Sequence, residues 1–245
     1  MKIAGSIAFV TGTNRGIGAQ LVKALKDRGA ANIYAASRRD STTEGRDSTT
    51  EAGVIPVKLD ITKLDEVAAA AALASDTTLL INNAGVNFNT PLLYPPSEHN
   101  ARMEMEVNYF GTLAMCRAFA PILGANGGGT IVNMLTILSR INLPLMGSLC
   151  ASKAAVLSLT QGVRAQLAGQ GMLVMAVMPG AVDTDMSRDL PPPKMPPIEV
   201  ASAVMDAIEA GLEEVCPGDM AQTVVEQLTR DPKGIEKEFA QYLPK

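Results

Sequence analysis

"TGTNRGIG" (residues 11–18) follows the short apolar run "IAFV" and precedes a stretch with helical periodicity. Gly12 permits a tight turn, Gly16 lets the backbone approach a ligand, and Gly18 allows a helix to pack closely on a strand. Backbone N–H groups at the start of that helix, together with its positive dipole end, can hold phosphate groups. The stretch therefore predicts a strand, a glycine-rich turn and a helix that bind a pyrophosphate.

The same alternation of apolar runs and helical periodicity continues along the chain. Helices are predicted over about residues 16–28, 64–74, 98–123 and 148–168, and again after Glu199. Buried strands are predicted at "IAFVTG", "NIYAAS", "VIPVKLD", "TLLINNAG", "GGGTIVNML" and "MLVMAVMPG", with a further short strand near "EEVCPG". This order predicts one α/β domain over residues 1–245, a Rossmann-type doubly wound parallel sheet with helices on both faces. Its ligand crevice should lie at the carboxyl ends of the strands.

Composition argues against several classes of protein. The net charge of −4 and the 19% of charged residues argue against a nucleic-acid or membrane-surface partner. No apolar run has the length of a signal peptide or a membrane span, which favours a cytoplasmic location. Three separated cysteines and a single histidine, His99, argue against a disulfide framework, a metal site and a Ser–His–Asp hydrolase.

Two segments differ in character from the rest. Residues 39–52 repeat the hexapeptide "RDSTTE" and carry no apolar face, so we interpret them as a surface excursion. "DLPPPKMPP" (189–197) is too rich in proline for a helix and predicts a stiff, lid-like connection.

Further motifs follow the glycine turn: "NNAG" (82–85), Asn108 in "VNYFG", Lys153 in "ASKAA" and "PGAVDT" (179–184). In this order and spacing, from about residue 5 to 190, the chain resembles the short-chain dehydrogenase/reductase family. The resemblance implies a nicotinamide dinucleotide held by four groups of residues: Gly12, Asn14, Arg15, Ile17 and Gly18 at the pyrophosphate and adenosine ribose; Asp60 and Ile61 beside the adenine; Asn83 and Gly85 beside the adenosine half; and Pro179, Gly180, Val182 and Thr184 at the nicotinamide. Lys153 would contact the ribose hydroxyls.

The end of the second predicted strand indicates which dinucleotide is used. Family members that use NAD usually place a carboxylate there, whereas this chain has Ser37 and Arg38. Arg15 reaches in from the glycine turn, and guanidinium groups match a 2′-phosphate. The sequence therefore predicts NADP as the cofactor, with Arg39 interpreted as an ordinary solvated charge.

The catalytic set that the resemblance implies is incomplete. Asparagine and lysine are present as Asn108 and Lys153, and Thr136 stands at the serine position, so a hydroxyl remains. In the family a tyrosine gives the proton. This chain has Leu149 at that position, and leucine cannot donate a proton. The nearby residues Tyr109, Ser139, Ser148 and Cys150 do not replace it convincingly, because each is misdirected or too weak an acid.

We therefore interpret the chain as an NADP-binding carbonyl/alcohol oxidoreductase scaffold with an impaired proton relay. Both a natural divergence and an engineered active-site variant fit this pattern. Leu138, Leu143 and Leu149, with Met146, would form an apolar pocket for a small hydrophobic carbonyl or alcohol substrate. The long helices over 98–123 and 148–168 predict a homodimer or homotetramer. Two alternatives stay open: a non-redox enzyme (cyclisation, isomerisation or elimination), and a non-catalytic NADP-binding regulator or partner subunit.

Overall fold

The computed structural model describes residues 1–38, 52–93 and 97–243, and within them a seven-stranded sheet in the order β3-β2-β1-β4-β5-β6-β7. Every neighbouring pair of strands is parallel. The strands are β1 (Ile7–Thr11), β2 (Asn32–Ser37), β3 (Val54–Lys58), β4 (Leu79–Asn82), β5 (Thr130–Met134), β6 (Leu173–Val177) and β7 (Glu214–Val215). The predicted parallel doubly wound fold is confirmed.

Helices connect the strands and close both faces of the sheet. They are α1 (Gly16–Asp27), α2 (Leu64–Leu73), α3 (Ser97–Glu104), α4 (Thr112–Ala125), α5 (Gly147–Leu167), α6 (Pro197–Ala210), α7 (Asp219–Arg230) and α8 (Pro232–Phe239). The helix predicted over 98–123 is not uniform, because a π-helical segment at Met105–Gly111 joins α3 to α4. That segment carries Asn108, and π-helical turns inside helices are frequent at functional sites.

Alternate residues of each central strand pack against the helices on opposite faces of the sheet. Ala8 and Val10 of β1 pack in the core beneath α1 and α6, whereas Phe9 between them packs with the opposite core. The second core receives α2, α4 and α5. A strand buried on both faces reads as a continuous apolar run rather than an alternation, which is why "IAFV" carries no polar residue.

The winding direction reverses at β1, which lies between β2 and β4. From β1 the chain moves outward to β2 and β3, then crosses to β4 and continues in the other direction. Loops that leave the carboxyl ends of β1 and β4 therefore diverge, and the gap between them is where ligands bind in open α/β sheets.

The proline-rich connection is tied to the loop that follows β6. Met195 N donates to Ala181 O at 2.9 Å, and Asp183 N donates to Met195 O at 2.9 Å. The repeated "RDSTTE" segment and Arg39 lie outside the described residues. Across the ranges that the structure does describe, no helix has both the length and the apolar character needed to cross a membrane.

Candidate active site

A cavity of about 860 Å³ lies at the carboxyl ends of the strands, where the topology places a ligand crevice. It brings together residues that are distant in sequence, from the glycine turn at Gly12 to the segment ending at Thr184. The residues predicted for cofactor, catalysis or substrate that line it are Gly12, Asn14, Arg15, Ile17, Gly18, Ser37, Arg38, Asp60, Ile61, Asn83, Gly85, Thr136, Leu138, Leu143, Leu149, Lys153, Pro179, Gly180, Val182 and Thr184. Asn108 is the exception among the predicted residues.

The glycine turn is held against the end of β4. Gly12 has a φ of +72°, and a Cβ atom placed on it would lie 2.8 Å from Ala84 Cα. A Cβ on Gly18 would lie 2.1 Å from Gly12 O, so the helix can approach the strand only without a side chain there. The Asn83 side-chain amide donates to Thr11 O and Gly12 O, both at 3.0 Å. Glycines and Asn83 together fix a backbone cradle at the start of α1.

Charged groups surround the end of β2. Arg38 is exposed and lines the cavity beside Asp60. Burial by itself raises the pKa of Asp60, but hydrogen bonds from Thr62 and the charges of Arg38 and Lys63 hold that pKa below its usual value. The positive charge of Arg38 thus stabilises the ionised form of Asp60, and Ser37, the last residue of β2, adds no carboxylate.

Arg15 has a partner that the sequence pattern does not suggest. Its Nη1 lies 2.8 Å from Asp185 Oδ2, across the cavity from the glycine turn. Arg188 contacts the other oxygen of the same carboxylate at 2.8 Å. Arg15 would have to leave Asp185 in order to reach a 2′-phosphate beside Arg38.

Lys153 lies deep in the cavity wall, where its Nζ donates to Met134 O at 2.8 Å. Burial lowers the pKa of Lys153 to about 8, because surrounding protein atoms replace the water that would stabilise the ammonium ion. Among the described residues, no carboxylate forms an ion pair with it. The amine thus keeps unused hydrogen-bonding capacity toward the cavity.

Asn108 lies behind the cavity wall and is completely buried. Its side chain accepts from Val86 N at 2.9 Å and donates to Val86 O at 3.0 Å and to Ser152 Oγ at 2.9 Å. Every polar atom of the amide is therefore used within the protein. In this structure Asn108 anchors the loop after β4 to α5, and does not itself reach the cavity.

Thr136 and Leu149 are the residues that the sequence resemblance assigns to the positions of a catalytic hydroxyl pair. Thr136 Oγ1 donates to Pro179 O and accepts from Leu138 N, both at 3.3 Å. Leu149 is 7% exposed and packs with Met146 and Cys150. The partly buried side chains that complete this apolar cluster are Leu138, Leu143 and Leu190. Thr136 thus offers a hydroxyl and Lys153 an amine, beside hydrocarbon side chains packed around Leu149.

The residues considered as replacements for the tyrosine all point elsewhere. Tyr109 packs edge-on against Phe110. Ser148 Oγ donates to Thr90 O at 3.3 Å, and Cys150 Sγ accepts from Leu143 N at 3.3 Å. These three residues and Ser139 are absent from the cavity lining. The geometry supplies no substitute acid from this set.

Sequence reasoning missed the outer wall of the cavity. It is formed by the carboxyl-terminal helices and by the segment after Thr184, and its residues include Met186, Leu190, Pro191, Met220, Thr223, Val224, Gln227, Phe239 and Tyr242. Met220 Sδ accepts from Ala181 N at 3.4 Å, directly over the glycine of "PGAVDT". The amphipathic pattern of α7 predicts a buried face, but no local signal shows what that face covers.

Comparison with known proteins finds relatives of this chain. Residues 6–194 match the family model described as short chain dehydrogenase. A short chain dehydrogenase of Monascus purpureus is 34% identical over 199 residues, which is 76% of this chain and 68% of that protein.

Solved structures extend the likeness to the whole chain. A short chain dehydrogenase from Burkholderia cenocepacia, in complex with NADP, has a TM-score of 0.93 and 48% identity, with 100% of both chains covered. A short chain dehydrogenase/reductase from Burkholderia phymatum, in complex with NAD, has a TM-score of 0.83 and 25% identity, with 96% of both chains covered. The two similar structures thus hold different dinucleotides.

Proposed function

Because this chain belongs to the short chain dehydrogenase family, we propose that it binds NADP(H) and reduces small hydrophobic carbonyl compounds slowly, its proton relay being impaired at Leu149. The observation that carries this proposal is the cavity itself. Its wall joins the glycine turn, Thr136 and Lys153, and Leu149 lies there in an apolar cluster. The proposal takes this leucine to stand where the family has an acid.

The backbone cradle supports a dinucleotide pyrophosphate. Gly12 and Gly18 leave no room for a Cβ atom, so the turn presents bare backbone at the amino end of α1. The first turn of α1 contains no acidic residue that would repel phosphate. Gly16, with a φ of +57°, lies close to Thr184, so a Cβ atom on it would be only 3.2 Å from Thr184 Cγ2. We infer that the backbone N–H groups of this turn hold the pyrophosphate.

NADP, rather than NAD, is favoured by charge at the end of β2. The end of β2 carries Ser37 and Arg38 in place of a carboxylate, and Arg15 lines the same cavity, although Arg15 pairs with Asp185 and Arg38 lies near the Asp60 carboxylate. One charge-assisted contact to a 2′-phosphate is enough for about a tenfold preference, which corresponds to roughly 1.4 kcal/mol. The Burkholderia cenocepacia relative in complex with NADP is consistent with this choice.

Titration of both dinucleotides tests the preference. We expect NADP to bind at least about tenfold more tightly than NAD, and Arg38→Ala to remove most of that difference. Lys63→Ala is the matched control, since it removes a nearby exposed cation that does not line the cavity. Equal affinities of the unchanged protein for NADP and NAD would contradict the proposal.

Bound NADPH would supply hydride to the carbonyl carbon. Thr136 would position the carbonyl oxygen with its hydroxyl, and Lys153 would hold the ribose hydroxyls. Leu149 has no proton to give, and a positioned general acid contributes about 10²–10⁴-fold to rate. Positioning alone can still accelerate the reaction, so slow turnover is expected.

The substrate class and the assembly are part of the same proposal. Leu138, Leu143 and Leu149 with Met146 favour a small hydrophobic ketone, aldehyde or alcohol. We propose a homodimer or homotetramer formed through the long helices, and a cytoplasmic location. Light scattering measures the assembly, and NADPH oxidation under single-turnover conditions with a panel of aryl and alkyl ketones measures the reaction. NADPH that binds but is never oxidised by any of the ketones would contradict the reductase proposal.

A further inference from the structure

Lys153 presents an amine to the cavity, one helical turn after the apolar side chain of Leu149. Its Nζ is held by one hydrogen bond, to Met134 O at 2.8 Å. Its side chain keeps some accessible surface and belongs to the cavity lining. An amine reachable from a cavity, rather than sealed in a core, is available to a ligand in that cavity.

The immediate surroundings of this amine lack an anionic partner. No ion pair joins Lys153 to a carboxylate among the described residues, and Leu149, one helical turn earlier on the same face of α5, carries no hydrogen-bonding side-chain atom. Leu149 has neither a negative charge nor a hydroxyl, so it does not stabilise the protonated form of the amine. Lysines that form imines with carbonyl compounds are commonly desolvated in this manner.

The apolar cluster beside the amine determines which ligands can reach it. Leu149 and Met146 are almost completely buried, and Leu138, Leu143 and Leu190 pack against them. Each of these side chains also lines the cavity. An apolar aldehyde or ketone would bury its hydrocarbon part here, whereas the carboxylate of an anionic carbonyl compound would lose hydration against the same hydrocarbon side chains.

We propose that, in the cofactor-free protein, Lys153 is a covalent carbonyl-binding site whose amine forms an imine with apolar aldehydes and ketones. The lone pair of the neutral amine attacks the carbonyl carbon and forms a C–N bond, while the carbonyl oxygen takes up a proton. The resulting carbinolamine loses the hydroxyl group as water, and a C=N bond forms. Amine and carbonyl thus give imine and water, and nothing is oxidised or reduced.

This site goes beyond the proposed reductase function and competes with it. Dinucleotide binding would place the ribose against Lys153, so carbonyl capture belongs to the cofactor-free state. The pKa of Lys153, lowered to about 8 by burial, supports the chemistry, since about one tenth of the amine is neutral at pH 7. An ordinary exposed lysine, with a pKa of about 10.4, has less than about one thousandth in that form.

Reductive trapping tests the site without any turnover. The cofactor-free protein is incubated with benzaldehyde and sodium cyanoborohydride, and the modified lysines are located by peptide mass mapping. We expect the benzyl adduct on Lys153 to form at least about tenfold faster than on the exposed Lys63 at pH 7, where more of the Lys153 amine is neutral.

Variants test whether Lys153 carries the adduct, and a second probe tests whether the site prefers apolar carbonyl compounds. Lys153→Arg keeps the positive charge and should abolish the fast adduct, and Lys153→Met should do the same if the arginine disturbs folding. Glyoxylate, an anionic aldehyde, should label Lys153 at least about tenfold more slowly than benzaldehyde. Labelling of Lys153 no faster than of Lys63 overturns the proposal, and equal labelling by glyoxylate overturns the apolar ligand class.

Added NADP distinguishes this proposal from the proposed cofactor site. Protection of Lys153 by NADP supports both. A fast Lys153 adduct that NADP does not slow supports carbonyl capture and contradicts the dinucleotide placement.

Discussion

Leu149 and Lys153 lie one turn apart on α5, and both line the cavity. The spacing puts a branched hydrocarbon beside an amine that burial keeps at a pKa of about 8. In the family pattern a phenol occupies the place of Leu149, and the lysine lowers the pKa of that phenol. We propose that Leu149, rather than Lys153, limits carbonyl reduction at this site.

Leu149→Tyr tests whether this one position limits carbonyl reduction. We expect NADPH oxidation with a ketone panel to rise by about two to four orders of magnitude, because a positioned general acid contributes about that factor. The nearby ammonium of Lys153 should lower the pKa of the new phenol from about 10. Tyrosine is larger than leucine, so it must displace part of the cluster with Met146 and Cys150 toward the cavity.

Leu149→Phe is the matched control for that change. It adds nearly the same ring without the hydroxyl, so it should bind NADPH and remain as slow as the parent. Circular dichroism of each variant confirms folding. If folded Leu149→Tyr reduces no ketone faster than Leu149→Phe, the loss of the phenol is not what limits the reaction.

At the scale of elements, the β1–α1 turn depends on the absence of side chains. Gly12→Ala would place a Cβ atom 2.8 Å from Ala84 Cα at a φ of +72°, so the turn must shift away from β4. We expect NADP affinity to fall at least about tenfold and stability to fall by about 1–3 kcal/mol. Isothermal titration and thermal unfolding measure the two effects.

Gly162→Ala is the control for glycine replacement as such. Gly162 lies within α5, where a Cβ atom would meet nothing within 4 Å. Alanine there should stabilise the helix by about 1 kcal/mol and leave NADP affinity unchanged. NADP affinity that is unaffected by Gly12→Ala would mean that the turn connects β1 to α1 without holding the cofactor.

At the scale of the whole molecule, the buried amine of Lys153 couples stability to pH. Its pKa is about 8 in the folded protein and about 10.4 in an unfolded chain, so the unfolded state binds more protons between those values. Below pH 8 both states are protonated and the folded state bears the cost of a desolvated charge. Stability should therefore rise as pH increases from 8 toward 10.

Denaturant unfolding of cofactor-free protein measures this effect against Lys153→Met. Between pH 7 and pH 10 the unchanged protein should gain about 2 kcal/mol relative to the variant, since the other titrating groups are common to both. Lys153→Met should exceed the unchanged protein in free energy of unfolding by the largest amount near pH 7. A difference that does not change with pH would show that Lys153 is not desolvated in the folded state.

The sequence alone determined the features that depend on residues close together along the chain. Alternating strands and helices, the glycine turn, and Leu149 one turn before Lys153 are local patterns, because backbone geometry fixes their periods of two and about four residues. They sufficed for the fold class, which the structure confirms, and for the family, which the comparisons confirm. The preference for NADP, read from Ser37 and Arg38, stays a prediction.

Only the tertiary structure decided which atoms meet across the fold. Arg15 pairs with Asp185, which is 170 residues away, and the buried Asn108 amide is used up by Val86 and Ser152. The outer wall of the cavity likewise depends on where α7 and α8 pack relative to the sheet. These contacts join residues that are distant along the chain, and their formation depends on how whole elements pack to bury apolar surface. No local pattern in the sequence carries that information.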